Sequence, residues 1–287
     1  MKKILTCMLA AAVLTACEKG IAVPDDEKQG NVKLEFAIST ADVTRGTADI
    51  ARYFSKLNVM VFDDTGERVF DKVKTQQATD EDFGRMTMQL AEGEYTVVAV
   101  GHSSAVSATI KSPEMVQFTA KDGEKLTDTF CYCGRLSVGG QADTHELEMN
   151  RASAMFRMVL TDAAVPDAFA KLKFDYTGGS ANFNPATFAG TTKSTQSETR
   201  KAVGTGIYEV YTFPYMAAKG TLKVTVSAMT ESGNVIRQRT FEQVPVTRNR
   251  ITTYTGKFFE DGDGDMTEEG VGFTVNPEWN GEDKYSF

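Results

Sequence analysis

The chain has 287 residues, of which 41% are hydrophobic, and it carries a net charge of −8. An acidic chain with scattered lysine and arginine is a poor candidate for binding nucleic acid or anionic headgroups. Its length exceeds what one hydrophobic core usually serves, so two domains are predicted.

The first 16 residues have the features of a secretory signal peptide. Lys2 and Lys3 precede an apolar run, residues 4–13, which is too short to cross a bilayer because a spanning helix needs about 20 residues. The next residues, Leu14-Thr15-Ala16-Cys17, resemble a lipobox, where a lipoprotein signal is cut before a cysteine whose thiol carries a diacylglycerol. We therefore predict a mature protein that starts at Cys17 and is attached to a membrane by its lipid. An ordinary secretory signal with a chance cysteine is the alternative.

From Gly30 onward, short alternating or apolar runs are separated by Gly, Asp and Asn, which is the pattern of β-sandwiches. The strands predicted in the first half are residues 32–38, 56–62, 67–73, 86–90 and 95–100, with one short helix at 49–54. Residues 147–160 are predicted to form one long alternating strand that opens the second half. No apolar period of 3.6 residues extends over ten or more residues, so an all-β fold is expected.

Two pairs of segments suggest an internal repeat. Residues 56–59 resemble residues 171–174, and residues 91–97 resemble residues 218–224, with offsets of 115 and 127. Because both matches occur in the same order at similar spacing, they predict two related sandwich domains in tandem. The small, polar stretch at 139–144 is the predicted linker. The predicted division of the chain is a signal peptide at 1–16, a polar tether at 17–30, and sandwich domains at 31–143 and 144–287.

Residues that could carry chemistry are sparse. Cys131 and Cys133 alternate on a predicted strand, so their side chains run parallel, and we interpret them as small apolar packing residues. The two histidines, His102 and His145, are both predicted to be exposed, and no metal site is predicted from them. The acidic run at 261–265 lacks the Gly and Glu that an EF-hand loop requires, so we interpret it as a solvated loop.

Taken together, these features resemble the FimB-type fimbrial anchor subunits of type V pili. The resemblance rests on Cys17 with its polar tether and on residues 56–66, 147–160 and 246–259, which look like strand signatures of that family. It implies two tandem transthyretin-like Greek-key β-sandwich domains, without enzymatic activity or a cofactor. It also implies a lipoprotein of the outer membrane and the fimbrium, whose partners are other fimbrial subunits.

The same resemblance implies assembly by strand exchange, in which an extended segment of one subunit completes the sheet of its neighbour. The candidate exchange residues are the inward positions of the first strand and of a late segment, namely Val32, Leu34, Phe36, Ile38, Phe273 and Val275. Cleavage between Arg45 and Gly46 by a trypsin-like protease would remove Cys17 together with the first strand. Such cleavage would make the chain a stalk or tip subunit, whereas an anchor keeps both, and we favour an uncut surface loop.

Two further functions stay open at this stage. A surface glycan-binding lipoprotein would need clustered aromatic platforms, and the chain has a single tryptophan, Trp279, which we interpret as a packing anchor. A hydrolase on a sandwich scaffold would need a convergent polar cleft. The sequence contains no Gly-x-Ser-x-Gly, His-Glu-x-x-His or phosphate-binding glycine loop that would indicate one.

Overall fold

The structure is a computed structural model that describes residues 30–40, 47–119, 126–204, 206–260 and 279–287. Its first half contains a 3₁₀ helix, Thr47–Arg52, and the strands β1 (Val32–Thr40), β2 (Lys56–Asp63), β3 (Lys74–Gln77), β4 (Arg85–Leu90), β5 (Gly93–His102), β6 (Ala108–Ser112), β7 (Met115–Phe118), β8 (Thr129–Val138) and β9 (Asp143–Arg151). The second half contains β10 (Ala154–Leu160), β11 (Lys171–Ser180), β12 (Asn182–Phe183), β13 (Ser194–Lys201), β14 (Ile207–Pro214), β15 (Lys219–Met229), β16 (Val235–Thr247), β17 (Ile251–Gly256) and β18 (Glu282–Ser286). No helix in these ranges has the length and apolar character needed to span a membrane.

The strands form two large sheets. The first has the order β3-β2-β5-β8-β9-β1-β4, and the second has the order β16-β15-β11-β14-β10-β17-β18, with β13 paired to β11. Each sheet bends into two layers at a junction where neighbouring strands share only two residue pairs. The junction lies between β8 and β9 in the first sheet and between β11 and β14 in the second. The inward side chains of the two layers meet in one apolar core per half. The predicted all-β fold with two tandem sandwiches is confirmed.

The two halves repeat one strand arrangement with the same register. In the first half Lys56 of β2 pairs with His102 of β5, and in the second Lys171 of β11 pairs with Met229 of β15. Lys56 and Lys171 are separated by the offset of 115 found in the sequence, and His102 and Met229 by the offset of 127, so the two pairs are equivalent. Likewise β1 lies between antiparallel β4 and parallel β9, just as β10 lies between antiparallel β14 and parallel β17. The internal repeat predicted from the sequence is therefore present in the fold.

The strand predicted at residues 67–73 is wrong. Only Arg68 makes a β-bridge in this stretch, to Phe62, and the strand that pairs with β2 is β3 further along the chain. Val69 donates its main-chain N–H to Val61, and Arg68 Nη2 donates to the main-chain carbonyl of Ile110 on β6 at 2.6 Å. Single hydrogen bonds to different strands therefore hold this stretch in place of a regular ladder.

The single long strand predicted at residues 147–160 is also wrong, because it is two strands in different sheets. β9 pairs with β1, whereas β10 pairs with β14 and β17. Ala152 and Ser153 connect them, and since both are fully buried next to buried Ala154, the alternation is interrupted at this point. We propose that the division between the domains lies at 152–153 rather than at 143–144, because residues 144–149 pair with β1.

Candidate functional site

The first strand is an inner strand of its sheet. β1 makes six residue pairs with β4, from Val32–Leu90 to Ala37–Arg85, and seven with β9, from Leu34–Asp143 to Thr40–Met149. Because side chains alternate along a strand, Leu34, Phe36 and Ile38 all point into the core, where they are 1%, 0% and 2% exposed. Val32 at the start of β1 is half-buried. The predicted exchange residues of this strand thus lie together on its inward face.

Loss of β1 would open a groove. Burial of a large apolar side chain contributes about 1.5–3 kcal/mol, so the three core side chains of β1 together contribute roughly 5–9 kcal/mol. Without them, the edges of β4 and β9 would face each other across one missing strand, with unpaired main-chain groups on both sides. The geometry therefore makes β1 replaceable only by another extended segment with apolar residues at alternate positions.

The C-terminal strand is held by side chains of its own half. β18 runs parallel to β17, and Tyr285 stacks on Tyr254 with 4.7 Å between the ring centroids. Phe287 follows and packs edge-on against Phe241 of β16 at 5.3 Å. These contacts fix the end of the chain in the second sandwich.

Two ion pairs add to this attachment of β18. Glu282 accepts a hydrogen bond from Arg157 at 3.5 Å, and Asp283 accepts one from Arg250 at 2.7 Å. Arg157 lies on β10 and Arg250 directly precedes β17, so charged hydrogen bonds from two different segments hold β18 beside β17.

A buried polar cluster joins the two halves. Arg151, at the end of β9, is 4% exposed, and its Nε lies 2.9 Å from both carboxylate oxygens of Asp128. Its Nη1 donates to Asn249 in the turn between β16 and β17, at 2.9 Å. The guanidinium lies between two rings, 4.5 Å from the centroid of Phe130 and 3.9 Å from that of Trp279. Burial raises the pKa of the Asp128 carboxyl, and the neighbouring Arg151 opposes that rise.

Sequence reasoning missed this cluster. Its members come from four separate segments, and no spacing within any one segment indicates that they meet. The signal that was available is Arg151 itself, which occupies an inward position of an alternating strand, where an arginine needs a partner. Trp279 is buried against that arginine, so its interpretation as a packing residue is confirmed.

Both histidine side chains are less exposed than predicted. His102 is fully buried, its Nε2 lies 2.9 Å from Asn58 Nδ2, and burial with nearby Lys56 lowers its pKa to about 4. His145 is half-buried within β9, and its ring centroid is 6.2 Å from that of Phe36. The predicted exposure of both is therefore wrong, because each sits on a strand whose inward face continues to that position.

The two described cysteines agree with the prediction. Cys131 is buried, Cys133 is half-buried, and both thiols are free. Burial raises the pKa of both thiols, which favours their protonated form. Among the described residues no group of three His, Cys, Asp or Glu side chains is arranged to hold a metal ion.

The remaining predicted sites lie outside the described residues. They are the lipobox and lipid attachment residues Leu14, Thr15, Ala16 and Cys17, the cleavage residues Arg45 and Gly46, the late residues Phe273 and Val275, and the acidic run at 261–265.

The chain is similar to one known protein family and to several solved structures. The family model of the fimbrillin-A associated anchor proteins Mfa1 and Mfa2 matches residues 23–284. Among solved structures, a protein described as an adhesin of Bacteroides ovatus is 12% identical with a TM-score of 0.50, over 84% of this chain and 88% of that one. The fimbrial anchor protein Mfa2 from Porphyromonas gingivalis is 12% identical with a TM-score of 0.43, over 72% of this chain and 81% of that one. A fimbrial assembly protein from Parabacteroides distasonis is 13% identical with a TM-score of 0.44, over 78% of this chain and 90% of that one. No curated protein sequence matches the chain.

Proposed function

The chain belongs to the family of fimbrillin-A associated anchor proteins, and from this premise we propose that it is a lipid-anchored subunit that holds a fimbria at the outer membrane. The family match over residues 23–284 is the observation that carries the proposal. In this role the protein has no enzymatic activity and no cofactor, its partners are other fimbrial subunits, and it is exposed at the cell surface.

The buried first strand suggests how an anchor would end polymerisation. A subunit that keeps β1 keeps its own sheet complete between β4 and β9, so that position is closed to a donated strand. The same strand is the first described strand after the predicted tether at 17–30. Keeping β1 therefore also keeps the sandwich covalently linked to a lipid on Cys17. Two acyl-type signals attach a protein stably to a membrane, where a single chain is marginal.

Intact-mass and N-terminal analysis tests this role on protein recovered from outer membranes and from sheared surface fibres. We expect an acylated chain that starts at Cys17 in the membrane fraction. Recovery of a chain that starts at Gly46 in the sheared fibres would contradict the anchor role and identify a processed stalk or tip subunit.

A substitution at the lipid site provides the second test. Cys17→Ser removes the thiol that would carry the lipid, so we expect the protein to leave the membrane fraction and lose the acyl mass. Cys133→Ser is the matched control, because it changes a half-buried thiol within β8 and leaves the N-terminus as it is. Retention of the Cys17→Ser protein in the membrane, with unchanged fibre attachment, would overturn lipid anchoring through Cys17.

A further inference from the structure

A cleft separates β8 from β9 in the first sandwich. The two strands are consecutive in the chain, but their only residue pairs are Phe130–Arg151 and Cys131–Asn150 at the end far from their connecting turn. Toward the turn they diverge around a cavity of about 470 Å³. The cavity is lined by the turn at 139–142 and by the residues Leu34, Ser137, Val138, Asp143 and His145.

The edge of β9 along this cleft has no strand beside it in the described part of the chain. Residues 144–149 of β9 pair with β1 on one side, and the other side faces the cleft. A strand offers hydrogen-bonding groups to both sides, so such an edge is a template for one more strand.

The equivalent cleft of the second sandwich is filled. Gly93 of β5 pairs with Val138 of β8, and at the offset of 127 Gly220 of β15 pairs with Val246 of β16, so β8 and β16 are equivalent. β17 is equivalent to β9, because each lies parallel to the first strand of its half. In the second half, β18 pairs with β17 over five residues, and the ring of Phe287 that follows it contacts β16. One copy of the repeated cleft therefore already holds a parallel strand.

We propose that the cleft between β8 and β9 binds an extended segment of a neighbouring fimbrial subunit, which runs parallel to β9 as β18 runs parallel to β17. The inference rests on the proposed function for the identity of the partner as a fimbrial subunit. The inward residues of the two flanking strands, Leu136 and Val138 on β8 and Leu147 on β9, are apolar and buried, so the inward side chains of a strand bound between them are apolar as well.

Charge selects the other side chains of the segment. Glu146 and Glu148 are exposed on the outer face of β9, and their neighbours on β1 are the uncharged Ala37 and Ser39. Opposite charges on adjacent strands stabilise a sheet and like charges destabilise it. The outward side chains of the bound segment are therefore lysine or arginine.

The filled cleft follows the same rule with the signs reversed. There Arg157 of β10 and Arg250, which directly precedes β17, bind Glu282 and Asp283 of β18. A second copy of this chain would bring that acidic segment to the acidic edge of β9. Charge thus favours a different subunit over a second copy.

Peptide binding to the full mature protein tests the site. The probes are three acetylated, amidated hexapeptides: Val-Lys-Val-Lys-Val-Lys, its acidic counterpart Val-Glu-Val-Glu-Val-Glu, and the block sequence Val-Val-Val-Lys-Lys-Lys. We expect the alternating basic peptide to bind at least tenfold more tightly than either of the others. Hydrogen exchange should slow at residues 143–149 and stay unchanged in β4, the other edge strand of this layer.

Charge reversal on β9 is the decisive variant. Glu146→Lys with Glu148→Lys changes two exposed side chains, so the fold is kept and the peptide preference should invert to the acidic sequence. Glu114→Lys with Glu231→Lys carries the same charge change at exposed positions away from the cleft and should keep the original preference. Absence of peptide binding, protection of β4 instead of β9, or an unchanged preference in the β9 variant would each overturn the proposal. Membrane attachment through Cys17 is measured separately, so its failure would reject the anchor role and leave the peptide result standing.

Discussion

Substitution of Arg151 by alanine should destabilise the protein by about 3 kcal/mol at neutral pH. Removal of one partner from a buried ion pair costs about 3–5 kcal/mol, because the other charge is left buried without compensation. The side chain of Asp128 is 20% exposed, so water relieves part of that cost and we expect the lower end of the range. The loss of the two ring contacts to Phe130 and Trp279 acts in the same direction.

The destabilisation should shrink in acid. Burial raises the pKa of Asp128 above its ordinary value of 3.8, and Arg151 works against that rise. Without Arg151 the folded-state pKa moves further up, so the folded protein binds a proton at a higher pH than the unfolded chain does. Stability is then lost as pH rises through that folded pKa and recovered as pH falls below it. The difference between wild type and Arg151→Ala is therefore larger at pH 7.5 than at pH 4.5.

Urea unfolding followed by tryptophan fluorescence measures this effect directly, since Trp279 is the only tryptophan and lies against Arg151. Arg135→Ala on the exposed face of β8 is the matched control and should change stability by no more than about 0.5 kcal/mol. Arg151→Met with Asp128→Asn removes both charges and should recover most of the loss. A loss below about 1 kcal/mol, or one that does not depend on pH, would refute the assignment of a buried, coupled pair.

Two further stability predictions follow from the first half. Phe36→Ala should lower the free energy of unfolding by about 3–5 kcal/mol, because it empties a fully buried position of β1. Lys33→Ala, on the exposed face of the same strand, should lower it little. Similar urea midpoints for the two variants would show that β1 is not part of the native core. In the folded protein His102 has a pKa of about 4, against an ordinary value of 6.5. As pH falls from 6.5 to 4 the unfolded chain takes up a proton before the folded protein does, so the free energy of unfolding of wild type should fall by about 3 kcal/mol. The His102→Gln variant should not show this fall in urea unfolding over the same pH range. Parallel pH profiles of stability for wild type and His102→Gln would contradict the burial of a neutral His102.

The alternation of apolar and polar residues along the sequence was enough to predict the strands in which that alternation is regular. Residues 32–38, 86–90 and 95–100 were predicted within β1, β4 and β5, since one apolar face per strand is readable from sequence. The repeat was readable for the same reason, because equivalent core positions keep similar residues in both copies.

What the sequence did not predict depends on contacts between distant segments. The burial of His102 follows from the β6–β7 hairpin that covers it, where Ala108 donates its main-chain N–H to the ring at 3.3 Å. The break at 152–153 follows from the passage between two sheets, although the residues on either side continue a strand pattern. The cluster around Arg151 combines four segments, and only the tertiary fold brings them together.

The repeated fold explains how an anchor could keep its first strand and still bind a neighbour. With β1 in place, the position between β4 and β9 is occupied, so a donated strand has no access there. The second sandwich offers no equivalent edge at β17, because β18 already covers it. The outer edge of β9 is different, because in the described part of the chain residues 144–149 pair only with β1, and β8 reaches β9 only at Asn150 and Arg151. Under the proposed function, a segment added at that edge would leave β1 connected through the predicted tether to the proposed lipid on Cys17. The subunit would then bind the fimbria and the membrane at the same time without giving up its first strand.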